Sequence, residues 1–214
     1  ERPTVLLYPK ALLNDRHNTT SADVHQQFVP FAKARLVRSG RDITFVAWGN
    51  SVRLCQKAAD ALEAAGVESD IVDLRTLAPW DERAVLTSAE KTSRVLVVHE
   101  DNHTCGFGAE VLATVAEQGR GAMTLRRVTR PDTYVPFNFA NQIQVLPSFQ
   151  RVLAVAGEML GLDVSWIPPK PEEAGICQIT AIGSAPSDEQ LSVVEIYVQP
   201  GDEIQRDTVL VSLE

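Results

Sequence analysis

A run of side chains that can do chemistry lies between residues 99 and 108. It carries possible metal ligands or acid–base groups at His99, Glu100, Asp101, His103 and Cys105. Gly106 and Gly108 would allow a close backbone approach. The run follows an apolar strand pattern and precedes a helical one, and open α/β sheets place their sites at such junctions. The spacing matches no metal-binding motif, however, and a polar loop at an interface accounts for the same residues.

Three further features each have two interpretations. The junction Ala47–Ser51 can bind an anion at a helix N-terminus, or it is an ordinary turn between a strand and a helix. Cys105 lies near a predicted helix start, which can activate a thiol, although an inert thiol is the simpler interpretation. The arginine group Arg126, Arg127 and Arg130 can contact a phosphate or an acidic partner, or it is a solvated strand end.

Composition limits the class of protein. The chain has 214 residues, 44% of them hydrophobic, which is enough for one core and a small appendage. With 28 acidic and 20 basic residues the net charge is −8, which argues against nucleic-acid binding. No stretch approaches the roughly 18 apolar residues of a membrane span, so we expect no membrane partner. Cys55, Cys105 and Cys177 are sparse and odd in number, and they predict reduced thiols in a cytoplasmic protein.

Strand and helix patterns alternate from residue 42 onward. Apolar runs predict strands at 43–48, 67–74, 94–99 and 123–128. Helical spacing predicts helices at 52–62, 79–91, 106–117 and 149–160. The alternation predicts an α/β domain over residues 42–162, a mostly parallel sheet with helices on both faces.

The two ends of the chain have other patterns. Residues 1–41 are predicted to be irregular, apart from a short strand at 5–8, and to be the end of a preceding domain with a linker. Residues 163–175 form a Pro-rich linker. Residues 176–214 have β-rich runs at 177–182, 193–198 and 208–213, which predict a small all-β half-barrel.

The α/β part resembles a known family in four stretches that keep their order. Residues 72–81 match the pattern DLRTL.P.D, and residues 97–110 resemble VVHE followed by GGFGAE. Residues 30–44 and 128–147 resemble the segments at the start and near the end of the same domain. The chain is similar to the C-terminal domain of transketolase-like proteins, and most of all to the β subunit of 2-oxoacid dehydrogenases of the pyruvate, branched-chain and acetoin types. Cys105 stands where that family has the first of two glycines.

This resemblance implies a function for the parent protein and a role for the chain. The parent would decarboxylate a 2-oxoacid oxidatively on thiamine diphosphate with magnesium and acylate a lipoyl group. The chain itself would hold no catalytic, cofactor-binding or metal-binding residue, because it contains no Gly-Asp-Gly motif. It would serve assembly, and we expect a loop with His99, Glu100, Asn102, His103 and Phe107 to face a neighbouring domain.

The same resemblance names partners and alternatives. The implied partners are the missing thiamine-binding domains or an alpha subunit, the acyltransferase core of the complex, and a second copy in a homodimer. Residues 193–214 resemble the first half of a lipoyl/biotinyl domain, without its acceptor lysine, since Lys170 is the last lysine. The alternatives are the C-terminal domain of a transketolase or deoxyxylulose-phosphate synthase, and a non-enzymatic protein-interaction module.

Overall fold

The structure is a computed structural model that describes residues 3–13, 22–26, 28–162, 193–199 and 210–213. Contacts divide the chain into two units, Glu1–Pro168 and Pro169–Glu214. The predicted linker at 163–175 lies outside the described residues, so its bounds stay a prediction. Among the described helices, none has the length and apolar character needed to cross a membrane.

The first unit alternates helices and strands as predicted. Its strands are β1 Arg35–Arg38, β2 Ile43–Ala47, β3 Ser69–Asp73, β4 Arg94–Asn102 and β5 Thr124–Arg130. Its helices are α1 Lys10–Leu13, α2 Ser51–Glu63, α3 Glu82–Thr92, α4 Phe107–Gln118, α5 Phe139–Val145 and α6 Phe149–Leu160. A short 3-10 helix spans Val24–Gln26.

The strands form one sheet in the order β1-β3-β2-β4-β5. Strands β2 to β5 pair in parallel, and β1 pairs antiparallel with β3 at the edge. The helices cover both faces: α2 and α6 pack on one cluster with Phe45, and α3 and α4 pack on the other with Val46. The predicted fold, a mostly parallel α/β sheet with helices on both faces, is confirmed.

Burial explains the central strands. All five residues of β2 and five consecutive residues of β4, Val95–His99, are buried. A strand covered on both faces has no polar side to alternate with, so its sequence is a continuous apolar run. Helix α3 begins later than predicted, because the Asp81 side chain caps it by accepting from the Ala84 amide at 3.2 Å.

Two local expectations were wrong, and one helix was missed. Residues 5–8 are not a strand, and their side chains are exposed. Strand β1 lies within the region predicted to be irregular, so the sheet starts before residue 42. Helix α5 was not predicted. β1 has the residues Arg-Leu-Val-Arg, which show little apolar alternation, and its conformation comes from pairing with β3.

The second unit is described only in part. Strands β6 Val193–Ile196 and β7 Val211–Leu213 pair antiparallel, within two of the predicted β-rich runs. The run at 177–182 lies outside the described residues. The half-barrel and its likeness to a lipoyl domain therefore stay predictions.

Candidate functional site

The two sequence segments with candidate chemistry meet at one edge of the sheet. Ala47 of β2 pairs with Val98 of β4, so the loops that follow these parallel strands start side by side. Helices α2 and α4 then leave toward opposite faces of the sheet. This is the topological switch point, where open α/β sheets leave a crevice beyond the strand ends.

His99 is the buried centre of this edge. Its ring is fully buried and stacks on Trp48, with 5.0 Å between ring centroids and 12° between ring planes. Phe107 meets Trp48 edge-on at 5.7 Å and Trp80 at 6.0 Å, which extends the cluster. The His99 Nδ1 accepts the Asp101 amide at 3.2 Å, and this assigns the ring proton to Nε2.

The surroundings of His99 keep its ring neutral. Burial lowers the pKa of His99 to about 4, against the opposing effect of Asp101, and the nearby Arg127 and His103 lower it further. A base with so low a pKa and no access to solvent is poorly placed for proton transfer near neutral pH. The ring is better explained as part of the packing at this edge.

The two glycines after this loop make room for the same ring. A Cβ at Gly108 would lie under 3.0 Å from the His99 ring, and a Cβ at Gly106 would meet the Asn102 carbonyl and the ring. The close approach predicted from the glycines therefore exists. What approaches is the chain's own imidazole, against the first turn of α4.

The N-terminus of α2 already has an anion beside it. Asn50, the N-cap residue, donates from Nδ2 to both Glu100 carboxylate oxygens, at 3.2 and 3.3 Å. Partial desolvation raises the pKa of Glu100, and the hydrogen bond from Asn50 opposes the rise. The junction that could have bound an external anion is thus tied to a carboxylate of the β4 loop.

The arginine group mainly holds the same loop in place. Arg127 donates to the His103 carbonyl at 2.8 Å, and Arg130 donates to the Glu100 carbonyl at 3.3 Å. Arg130 also pairs with Asp101 at 3.6 Å. Arg126 is exposed. The interpretation of this group as a phosphate site gains no support from these contacts.

Asp132 anchors the far end of the loop. It accepts from the Thr104 amide at 2.8 Å and from the Thr104 hydroxyl at 2.5 Å. These two hydrogen bonds lower the pKa of Asp132.

Cys105, which follows Thr104 in the loop, is exposed and has a φ of 59°, a conformation that favours glycine. An inert thiol at Cys105, the simpler of the two interpretations, stays a prediction.

No metal centre is formed by the residues that the structure describes, since they contain no group of three or more His, Cys, Asp or Glu side chains placed to hold an ion. The histidines and acids of the loop instead have separate partners within the chain. His103 Nδ1, for example, lies 3.2 Å from the Thr129 hydroxyl.

The five predicted interface residues differ in exposure. Glu100 and His103 are exposed, and Asn102 and Phe107 are half-buried. His99 is fully buried, so its side chain lies beneath the loop surface, and the interface role of the others stays a prediction. Sequence reasoning missed the contact between Trp48 and His99, for which a tryptophan directly after a buried strand was the available signal.

Buried polar atoms collect on these two loops. Within the described parts of the chain, four side-chain atoms there have no hydrogen-bond partner: Asn50 Oδ1, Ser51 Oγ, His99 Nε2 and Asn102 Oδ1. The one other such atom is Ser69 Oγ. Buried polar groups are nearly always satisfied in native proteins, by protein or by ordered water, so these four atoms leave hydrogen-bonding capacity at this edge.

Comparisons with known proteins agree with the fold. The chain is 36% identical over 135 residues to the acetoin:2,6-dichlorophenolindophenol oxidoreductase subunit beta of Bacillus subtilis, covering 62% of this chain and 40% of that one. It is 37% identical over 153 residues to the mitochondrial 2-oxoisovalerate dehydrogenase subunit beta 2 of Arabidopsis thaliana, covering 71% and 42%. The chain thus spans about two fifths of these relatives' length.

A solved structure and a family model also match the chain. The structure described as "Split gene transketolase, inactive beta4 tetramer" has a TM-score of 0.55 and 26% identity, over 64% of this chain and 44% of that one. The family model described as "Transketolase, C-terminal domain" matches residues 32–149. That match spans more than half of the chain, which therefore belongs to the family of transketolase C-terminal domains.

Proposed function

We propose that this chain is the C-terminal assembly domain of the β subunit of a 2-oxoacid dehydrogenase of the pyruvate or branched-chain type. The observation that carries the proposal is the identity of 36% and 37% to beta subunits named as an oxidoreductase and a 2-oxoacid dehydrogenase. Identity to the split-gene transketolase is lower, at 26%. The parent enzyme would decarboxylate a 2-oxoacid oxidatively and acylate a lipoyl group.

Thiamine diphosphate and magnesium belong to the parent enzyme in this proposal. The described residues do not fit them, because no acidic cluster placed to hold a metal ion occurs among those residues and the sequence contains no Gly-Asp-Gly. We therefore assign no catalytic step to any side chain of this chain. The cofactor would lie in preceding domains or in an alpha subunit.

Several surfaces support a role in assembly. Tyr134 is 93% exposed, Phe137 is fully exposed, and the apolar residues at 5–8 and 28–31 are exposed as well. Contiguous exposed apolar side chains, as in the runs at 5–8 and 28–31, often mark interaction surfaces. These exposed apolar side chains support contacts to the missing domains, an alpha subunit, the acyltransferase core or a second copy.

The activity test uses the full-length natural protein together with its alpha subunit. We expect oxidation of pyruvate or 3-methyl-2-oxobutanoate with 2,6-dichlorophenolindophenol as the electron acceptor, dependent on both thiamine diphosphate and magnesium. The 214-residue chain is the control and is expected to be inactive. Activity with acetoin alone, or ketol transfer between sugar phosphates, would replace the proposed substrate class. No thiamine-dependent activity would favour a non-enzymatic interaction module.

The assembly role has a separate test. Phe137→Asp places a charge on a fully exposed aromatic position and is expected to weaken association with the alpha subunit or the second copy. Gln150→Asp, on the exposed side of α6, is the matched control. Analytical ultracentrifugation of the full-length proteins measures the change. If Phe137→Asp and Gln150→Asp both associate as strongly as the wild-type protein does, this surface is not part of the assembly.

A further inference from the structure

A groove runs along the outer edge of the sheet, away from the site described above. Strand β1 is an edge strand: β3 is its one strand neighbour within the described part of the chain. The groove lies between β1 and helix α3 and has a volume of about 500 Å³. We call it the edge groove, defined by Leu36, Val72, Ala84 and Thr87 with the cations Lys33, Arg83 and Lys91.

The floor of the edge groove is apolar and open to solvent. Leu36 of β1 pairs with Val72 of β3, so the two side chains stand on the same face of the sheet. Val72 is buried beneath α3, whereas Leu36 is 55% exposed. The helix therefore covers β3 and leaves the β1 side of this face bare.

The acids that line the groove are already bound within the chain. Asp70 is 1% exposed, and it accepts from the Gly40 amide at 2.6 Å, from Lys91 at 2.6 Å and from the Ser88 hydroxyl. Asp81 caps α3 and also accepts the Ala34 amide at 3.1 Å. Neither carboxylate has the freedom to take a new cationic partner.

The cations are more available than the acids. The Lys33 and Lys91 side chains are 61% and 41% exposed, and Lys33 is 3.8 Å from Asp81. Arg83 is exposed and lines the groove. Lys33 and Arg83 lie at the end where α3 starts, and Lys91 lies at the end where it stops. Cationic side chains thus line both ends of an apolar floor, although the Lys91 ammonium is already paired with Asp70 at 2.6 Å.

The spacing of these charges matches an extended chain. From Arg83 to Lys91 the helix rises about 12 Å, at 1.5 Å per residue. In a strand, the first and fifth residues are about 13 Å apart, and the first, third and fifth side chains point to one face. A bound segment with acidic residues at positions one and five would therefore place one acid at each cationic end of the groove. An aliphatic residue at position three would lie on the floor at Leu36.

We propose that the edge groove binds an extended peptide segment of a partner protein, with the pattern acid-x-aliphatic-x-acid, which adds to β1 as a further strand. Main-chain hydrogen bonds to the outer edge of β1, which has no strand neighbour among the described residues, hold the segment, and the groove selects its side chains. The inference does not depend on the dehydrogenase assignment, because it rests on the edge strand, the groove and its charges.

The test uses the isotope-labelled 214-residue chain and the capped peptide Gly-Asp-Thr-Leu-Thr-Asp-Gly. We expect amide shift changes at residues 35–38 and 82–91 in nuclear magnetic resonance spectra, and slower hydrogen exchange of the outward amides of β1. The analogue with lysine in place of both aspartates is expected to bind at least about tenfold more weakly, because it meets Lys33, Arg83 and Lys91 with like charge.

Three variants separate the groove from a general charge effect. Arg83→Glu and Leu36→Asp are each expected to weaken the acidic peptide at least about tenfold. Both positions are exposed, and an acid in the first turn of α3 suits the helix dipole, so the fold should be kept. Arg120→Glu is the matched control, since the Arg120 side chain is 89% exposed and does not line the groove. This variant should bind the acidic peptide as tightly as the wild-type chain does.

The proposal is overturned by any of three results. These are no amide shifts at millimolar peptide, equal binding of the lysine analogue, or equal effects of Arg83→Glu and Arg120→Glu. A fourth result also overturns it: concentration-dependent pairing of β1 with a second copy, seen as the same shifts without peptide, would assign the edge to self-association.

Discussion

Replacing His99 with asparagine is expected to remove a pH dependence of stability. The folded chain holds His99 with a pKa of about 4, roughly 2.5 below its ordinary 6.5, because burial disfavours the charged ring. As the pH falls below 6.5, the unfolded chain binds a proton at this histidine that the folded chain does not bind. The contribution of His99 to the free energy of unfolding is therefore fully present above pH 6.5. It falls by about 3 kcal/mol in total as the pH decreases toward 4.

The variant isolates this contribution. The oxygen of an asparagine can still accept the Asp101 amide, as the His99 Nδ1 does, but asparagine does not titrate. Loss of the stack on Trp48 lowers stability at every pH, so the variant starts less stable. The advantage of wild type over His99→Asn should then shrink between about pH 6.5 and pH 4.

Urea unfolding followed by tryptophan fluorescence measures the effect at intervals across this range. The difference between wild type and variant is the relevant quantity, because Asp73 and Glu100 have raised pKa values that change both proteins alike. His25→Asn, at an exposed histidine, is the matched control for the loss of a histidine elsewhere in the chain. A difference between wild type and His99→Asn that stays constant with pH would refute the argument that His99 is buried as a neutral base.

Three further predictions concern stability measured by urea unfolding. Gly108→Ala should lower the free energy of unfolding by about 2 kcal/mol, because the added Cβ would lie under 3.0 Å from the His99 ring. The loss should be smaller when His99 is also replaced by alanine. An equal loss in both backgrounds would contradict this packing. Cys105→Gly should stabilise the chain by about 0.5 kcal/mol, because it relieves a φ of 59°, whereas Cys105→Ala should have no such effect. Asp70→Asn should cost about 3 kcal/mol, because it leaves Lys91 without its buried partner, whereas Asp60→Asn, at a side chain that is 72% exposed, should cost less than about 1 kcal/mol. Equal costs at Asp60 and Asp70 would contradict the role assigned to the buried Asp70 carboxylate.

Local sequence was sufficient to predict most of the α/β unit. Strand β4 contains four consecutive apolar residues, Val95–Val98, and this pattern requires cover on both faces of a sheet. Helix α2 has buried residues at Cys55, Ala58, Ala59 and Leu62, at the spacing of one helix face. Such patterns depend only on neighbouring positions, so they can be recognised without the fold, and the family resemblance rests on the same continuous stretches.

Tertiary structure decided what the candidate residues do. The loops at 47–51 and 99–108 become neighbours only because β2 and β4 pair in parallel, a contact between residues about fifty positions apart. The glycines at 106 and 108 indicated a close approach, but not that the His99 ring makes it. Strand β1 could not be predicted from its local pattern, because its conformation comes from pairing with β3. The sequence by itself determined the alternation of strands and helices and the family, since both are local in the chain. The roles of His99, Glu100 and the edge groove depend on long-range pairing, which local pattern does not contain.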